Sequence, residues 1–309
     1  MSLIASMGAI EIGLIFGLVA LGVLISFRII NFPDLTVDGS FPLGAAVAAT
    51  LIVNGWDPFL ATAVAMLAGG LAGAVTAWLN VHLRIMQLLA SILVMIALYS
   101  INLRIMGKPN VALINEPTVF SALSIDSLPG FVSELVIVLV VVVAAKLLLD
   151  LYFASETGLA MRATGSNPRM ARAQGISTDR LTLAGLALSN ALVALAGALF
   201  AQTQGGADIS MGVGTIVIGL AAVIIGETLI PARSLVITTL AVIIGAVLYR
   251  FFIALALNTE FMGLKAQDLN LVTAVLVALA LLVPAYKRKL GKLIPGRNGG
   301  AAHVTKEAS

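Results

Sequence analysis

The chain has 309 residues, 60% hydrophobic and 11% charged, with a formal net charge of +3 and a mean hydropathy of +1.08. A soluble domain carries roughly 25% charged residues, so this composition specifies an all-α, polytopic membrane protein. The absence of cysteine excludes disulfides, thiolate catalysis and Cys-based metal sites, and a charge confined mainly to loops and tail gives no nucleic-acid footprint.

A span needs about 20 mostly apolar residues. Nine segments qualify in chain order: Gly8–Phe27, Val37–Val53, Pro58–Asn80, Met86–Ile105, Phe131–Tyr152, Arg180–Ala201, Met211–Leu229, Ala232–Phe252 and Leu269–Ala285. The first holds Glu11 and lacks both a basic flank and a cleavage-like site, so it reads as a retained helix. The transmembrane domain is expected over 1–286 and a basic, Gly-rich cytoplasmic tail over 287–309. Positive charge sets orientation. With the N-terminus outside and the C-terminus in the cytoplasm, fourteen of the eighteen Lys and Arg residues fall in or next to the cytoplasm. Arg104, Lys108, Arg250 and Lys265 are left outside.

Shifting the first four spans by about 175 residues brings them near spans six to nine, so the halves 8–106 and 180–286 read as an inverted repeat, a plan common among transporters. Phe131–Tyr152 is then an unpaired linking span. Gly44-Ala45-Ala46-Val47 matches Gly219-Leu220-Ala221-Ala222-Val223 weakly. Turn-rich lead-ins, Asp34 to Gly39 and Asp208 to Gly212, precede the second and seventh spans.

Those two spans are the short, interrupted ones. The second carries Asp38, Gly39 and Pro42; the seventh opens with Gly212, Gly214 and Gly219. Interrupted segments at equivalent places in two halves point to a translocation path or gate, because irregular backbone at membrane depth survives only under protein or beside a water-filled cavity. Asp38, placed near the cytoplasmic end of its span, has two readings: it lines the path, or it caps its helix start, which is favoured. Asn190, in the sixth span, faces substrate or hydrogen-bonds between helices, with packing favoured. Glu227 is expected to pair with Arg233 or the Arg-rich loop on the cytoplasmic side. Glu11, Gln202, Gln204 and Asp208 read as interfacial or solvated.

Between the fifth and sixth spans lies a polar island, Glu156 to Ile176, within a cytoplasmic loop over about 154–179. It carries Arg162, Arg169 and Arg172, a helix stop and restart at Gly165-Ser166-Asn167-Pro168, then Ala171 and a closing Gly175. Such a loop suits docking onto another protein at the membrane surface. No catalytic constellation is present: His82 and His303 are unpaired, and the chain holds no GxSxG, HExxH or GxxxxGK[ST] motif. The chain is therefore not expected to be an enzyme or to bind a metal or nucleotide itself.

Ala163-Thr164-Gly165-Ser166-Asn167-Pro168, with Ala171-Arg172 and Gly175-Ile176, resembles the coupling loop of ABC-importer permeases of the branched-chain amino acid and ribose transport group, where A-T-G-x-N-x-x-A-A-x-x-x-G-I is characteristic. The block Gly219 to Glu227 resembles a subgroup that includes tryptophan and tyrosine importers. The resemblance implies two permease copies around a central path, a separate ABC ATPase carrying ATP and Mg, and a periplasmic or lipid-anchored substrate-binding protein. It also implies a bacterial cytoplasmic (inner) membrane and inward movement of a small polar solute, an amino acid first of all. The alternatives are an ion-coupled secondary carrier, for which few intramembrane carboxylates or histidines exist, and a non-transporting membrane scaffold.

Overall fold

The computed structural model describes residues 3–124, 129–231 and 234–258, together with 275 and 278. Among the described residues six helices are long and apolar enough to cross a membrane, and two shorter apolar helices lie between them. The chain is thus a helical, multi-pass membrane protein. The ninth expected span, Leu269–Ala285, lies outside the described residues.

Helix α1 (Leu3–Val23) runs on through a π-helical turn, Leu24–Ile29. α2 (Val37–Val53), α3 (Pro58–Val81) and α4 (Gln87–Met106) follow. Asp57 caps α3 by accepting from the Phe59 and Leu60 N–H groups, and Pro58 at the first helical position needs no such partner. A short strand β1 (Asn110–Ala112) and a single turn α5 (Val119–Ala122) lead to α6 (Gly130–Ala154). Two small helices, α7 (Glu156–Ser166) and α8 (Pro168–Ala173), form an elbow before α9 (Thr178–Thr203). Strand β2 (Gly206–Asp208) pairs antiparallel with β1, with Val111 opposite Ala207. α10 (Thr215–Leu229) and α11 (Leu235–Asn258) complete the described chain.

The core is a bundle in which α9 and α1 sit innermost. α9 packs on α2 and α3, and α1 packs on α11, α10 and α6. Between helices already surrounded by hydrocarbon, close backbone approach takes over from the hydrophobic effect, and glycine permits it. A side chain at Gly44 would fall 2.0 Å from the Ala194 carbonyl oxygen, and one at Gly73 would fall 2.2 Å from that of Leu186. On the other flank, one at Gly13 would meet Val247 Cα at 2.8 Å. Phe16, Phe41 and Phe200 stack where α1, α2 and α9 meet, with centroids 5.6 to 5.9 Å apart. Helix α6 is tied to α11 by polar contact: Thr239 donates to Asp150 at 2.8 Å, and Asp150 also pairs with Lys146.

The α2–α9 contact gives a test. Gly44→Val should lower stability by about 1–3 kcal/mol or more, because the added atoms meet backbone that cannot rotate away. Gly8→Ala, with no atom within 4 Å, should leave it unchanged. Thermal aggregation of the purified chain in detergent measures both.

Candidate functional site: a junction of two interrupted helices

The site begins where α1 ends. After the π-helical turn the chain passes through Asn31, at φ +58°, and turns at Phe32-Pro33-Asp34. Asp34 is fully buried. One carboxylate oxygen accepts the Thr36 N–H at 2.9 Å and the other accepts Asn190 Nδ2 at 2.7 Å. Asn190 in turn accepts from Ser40 Oγ at 2.7 Å, and the Thr36 and Thr76 hydroxyls bond at 2.8 Å. At about 1.5 Å per residue, Asn190 lies roughly 18 Å along α9 from Thr178. The residues before α2, 31–34, thus pack along α9 without helical structure.

Asp38 is a cap, although not of its own helix. Its carboxylate accepts the backbone N–H of Ile216 at 2.7 Å and that of Gly214 at 3.4 Å, at the start of α10. Three features let the helices meet. Gly214 holds φ +81°, a conformation that glycine adopts at no steric cost. Gly212 lies against Asp38 and Pro42, where a Cβ would be 2.1 Å from the Asp38 carbonyl oxygen. Asp208 accepts the Ser210 N–H at 2.8 Å and the Ser210 hydroxyl, closing the turn before α10. Ser210's hydroxyl and N–H together hold the Asp208 carboxyl below its ordinary value of 3.8. Helix α10 accordingly begins at Thr215, four residues later than the apolar run from Met211 suggested.

Of the expected path residues, the structure brings Asp38, Gly39, Pro42, Gly212 and Gly214 together. Asn190 lies behind them in the buried network, as a packing residue. Gly219 faces Val19 and Val23 of α1. Beside the junction is a cavity of about 560 Å³, walled by Asp38, Gly39 and Pro42 of α2, by Met95, Tyr99, Ser100 and Asn102 of α4, and by Ser210 and Val213. Asn102 donates to the Gly39 carbonyl at 3.2 Å. The α4 wall had no signal in the sequence beyond three polar residues, Tyr99, Ser100 and Asn102, in an apolar span.

The elbow lies at the far end of this structure. Ser155 caps α7 through the Gly158 N–H, and Asn167 caps α8 by accepting from Met170 N–H at 3.1 Å, with Pro168 at the first helical position. Gly175, at φ +80°, closes α8. A side chain at Gly165 would fall 1.7 Å from the Ile29 carbonyl oxygen, so the elbow sits directly under the π-helical turn. Ala171 is buried, while Arg162, Ser166, Asn167, Pro168, Arg169 and Met170 are exposed. Arg172 is engaged within the chain, donating to Thr178 at 2.6 Å and pairing with Asp179 at 2.9 Å. Among the described residues Arg28, at the end of α1, binds the Glu227 carboxylate with two donors; the expected Glu227–Arg233 pair falls on an arginine that lies outside the described residues. Arg28 is close enough because α1 and α10 end side by side next to the elbow, a convergence with no local mark in the sequence.

With this geometry established, relatives place the chain. Its described part is a helical membrane protein in which two short apolar helices, α2 and α10, meet at their starts. Residues 7–291 match the model of the branched-chain amino acid transport system permease component family, and the chain belongs to that family. It is 39% identical over 289 residues to the tyrosine transport system permease protein of Clostridioides difficile (strain R20291), covering 92% of this chain and 94% of that one. It is 30% identical over 210 residues to a protein of Methanocaldococcus jannaschii named as a probable branched-chain amino acid transport permease, LivH, covering 64% and 65%. No solved structure matches.

Two outcomes test the site. Asn190→Ala should destabilise the protein by roughly 1–3 kcal/mol or more by stranding Asp34 without its side-chain donor, whereas Gly219→Ala should disturb only the α1 contact; thermal unfolding separates them. Ser210→Ala should raise the Asp208 carboxyl towards 3.8. Because its folded value is depressed, the stability it contributes is complete above the unfolded value and lost as pH falls through the folded one. Hydrogen exchange of residues 208–212 should thus be insensitive to pH-linked opening from pH 8 down to about 5.

Proposed function

We propose that the chain is the permease subunit of an ATP-driven ABC importer that moves an amino acid inward by alternating access. Tyrosine is the first candidate, since the tyrosine permease relative matches over nearly the whole of both chains. The observation that carries this reading is the elbow α7–α8. It is capped at both helix starts, exposes Arg162 and Arg169, and packs through Gly165 against the Ile29 backbone, one short turn from the interrupted helices. An ATPase gripping the elbow would push on Ile29 and Ile30, and through Asp34 and Asn190 on the start of α2.

ATP and Mg belong on that separate ATPase, with this chain binding no cofactor. The further partners are a second permease copy, forming a homodimer around the path, a periplasmic or lipid-anchored binding protein and membrane lipid. The setting is a bacterial inner membrane, with the N-terminus outside and the C-terminus in the cytoplasm. Nine spans, with Leu269–Ala285 as the last, complete an inverted repeat about α6.

Packing supports the repeat. α3 lies on α9 while α11 lies on α1, so the third helix of each half packs on the first helix of the other. Asp34 and Asp208 each accept the N–H of the residue two positions on, at 2.9 and 2.8 Å, at matching places before α2 and α10. Coupling-loop residues in this reading are Arg162, Gly165, Ser166, Asn167, Pro168, Arg169, Ala171 and Gly175, with Arg172 shaping the elbow from within through Asp179.

Purification of the tagged chain from its native host in mild detergent tests this. A stoichiometric P-loop ATPase should accompany it and should be lost on Arg162→Glu with Arg169→Glu. A chain that purifies without any ATPase and still transports in liposomes under an ion gradient would establish an ion-coupled carrier instead.

A further inference from the structure

The 560 Å³ cavity beside the junction has a composition more specific than a passage requires. Pro42, Met95, Tyr99 and Val213 make one side a large, polarisable apolar wall, and rings and thioethers suit an aromatic or long aliphatic group. Of the wall residues, Asp38 alone carries an acidic side chain. Each of its oxygens takes one N–H from α10, and a carboxylate oxygen has room for a second donor.

Asn102, at 1% exposure, stands at the same cavity. Its amide nitrogen is spent on Gly39, while Oδ1 is buried with no hydrogen-bond partner among the described residues. A buried acceptor left unpaired is destabilising, and a bound donor would relieve it. Two acceptors beside an apolar wall fit a molecule with an ammonium head and a hydrophobic body. They do not suit a sugar, which needs many paired hydroxyls.

We propose that this cavity is a discrete resting site within the membrane for an α-amino acid with a large apolar or aromatic side chain. The ammonium lies at Asp38 and Asn102, and the side chain lies against Met95 and Tyr99. The α-carboxylate points to the open side of the cavity, where water reaches it. Tyr99 is the residue that sets selectivity. This rests on the permease reading above and deepens it.

The chain has no native cysteine, so single thiols can be introduced without background. In the assembled transporter in proteoliposomes, Ser100→Cys and Val213→Cys should react with a charged, water-borne thiosulfonate, while Leu67→Cys on the outer face of α3 stays unlabelled. Excess tyrosine should slow both reactions and excess alanine should not. Equal labelling of all three positions, or no protection by tyrosine, overturns the site. In uptake assays Tyr99→Ala should reduce initial tyrosine transport roughly tenfold through loss of the ring contact, and Tyr99→Phe should retain it; recovery of the bound ATPase shows that each variant is assembled. If the unmodified transporter takes up tyrosine and Tyr99→Ala matches it, the site fails and the permease reading stands. If the unmodified transporter takes up no amino acid, both fail.

Discussion

The junction depends on one carboxylate. An interrupted helix inside a bilayer leaves N–H groups with neither water nor a helical partner, and each unsatisfied group is costly. At α10 two of these donors are taken by Asp38, which belongs to α2, more than 170 residues earlier in the chain. The negative charge also opposes the positive end of the α10 dipole. One contact therefore satisfies backbone, balances charge and fastens the interrupted helices to each other. Gly212 and Gly214 follow from it, since only glycine allows the backbone to pass so close to Asp38 and Pro42 and turn with positive φ.

Behind the joint, the buried Asp34–Asn190–Ser40 network ties the start of α2 to α9. Fully buried polar groups of this kind are expensive when half-satisfied and rigid when complete. Here Asp34 receives both a backbone and a side-chain donor, and Asn190 has partners on both ends of its amide. In the chain this network stands between the elbow, which packs through Gly165 against Ile29 and Ile30, and Asp38, which holds the start of α10. That suits a family whose members are permease components of transport systems.

Composition and span length alone were enough to determine that this is a helical membrane protein. Asn167-Pro168 and Gly175 marked the ends of α8 by local capping chemistry, which acts within a few residues and so is legible in a linear chain. α2 runs unbroken through Asp38, Gly39 and Pro42, whereas the turn at Gly212 and Gly214 does hold off the start of α10, a local effect of glycine. What meets at the two helix starts was decided by tertiary structure. Which helix Asp38 caps, the pairing of Glu227 with Arg28, and the polar face that α4 brings to the cavity are all contacts between residues far apart in sequence. Local propensity carries no information about such partners, because they are set only when packing brings distant helices within hydrogen-bonding reach.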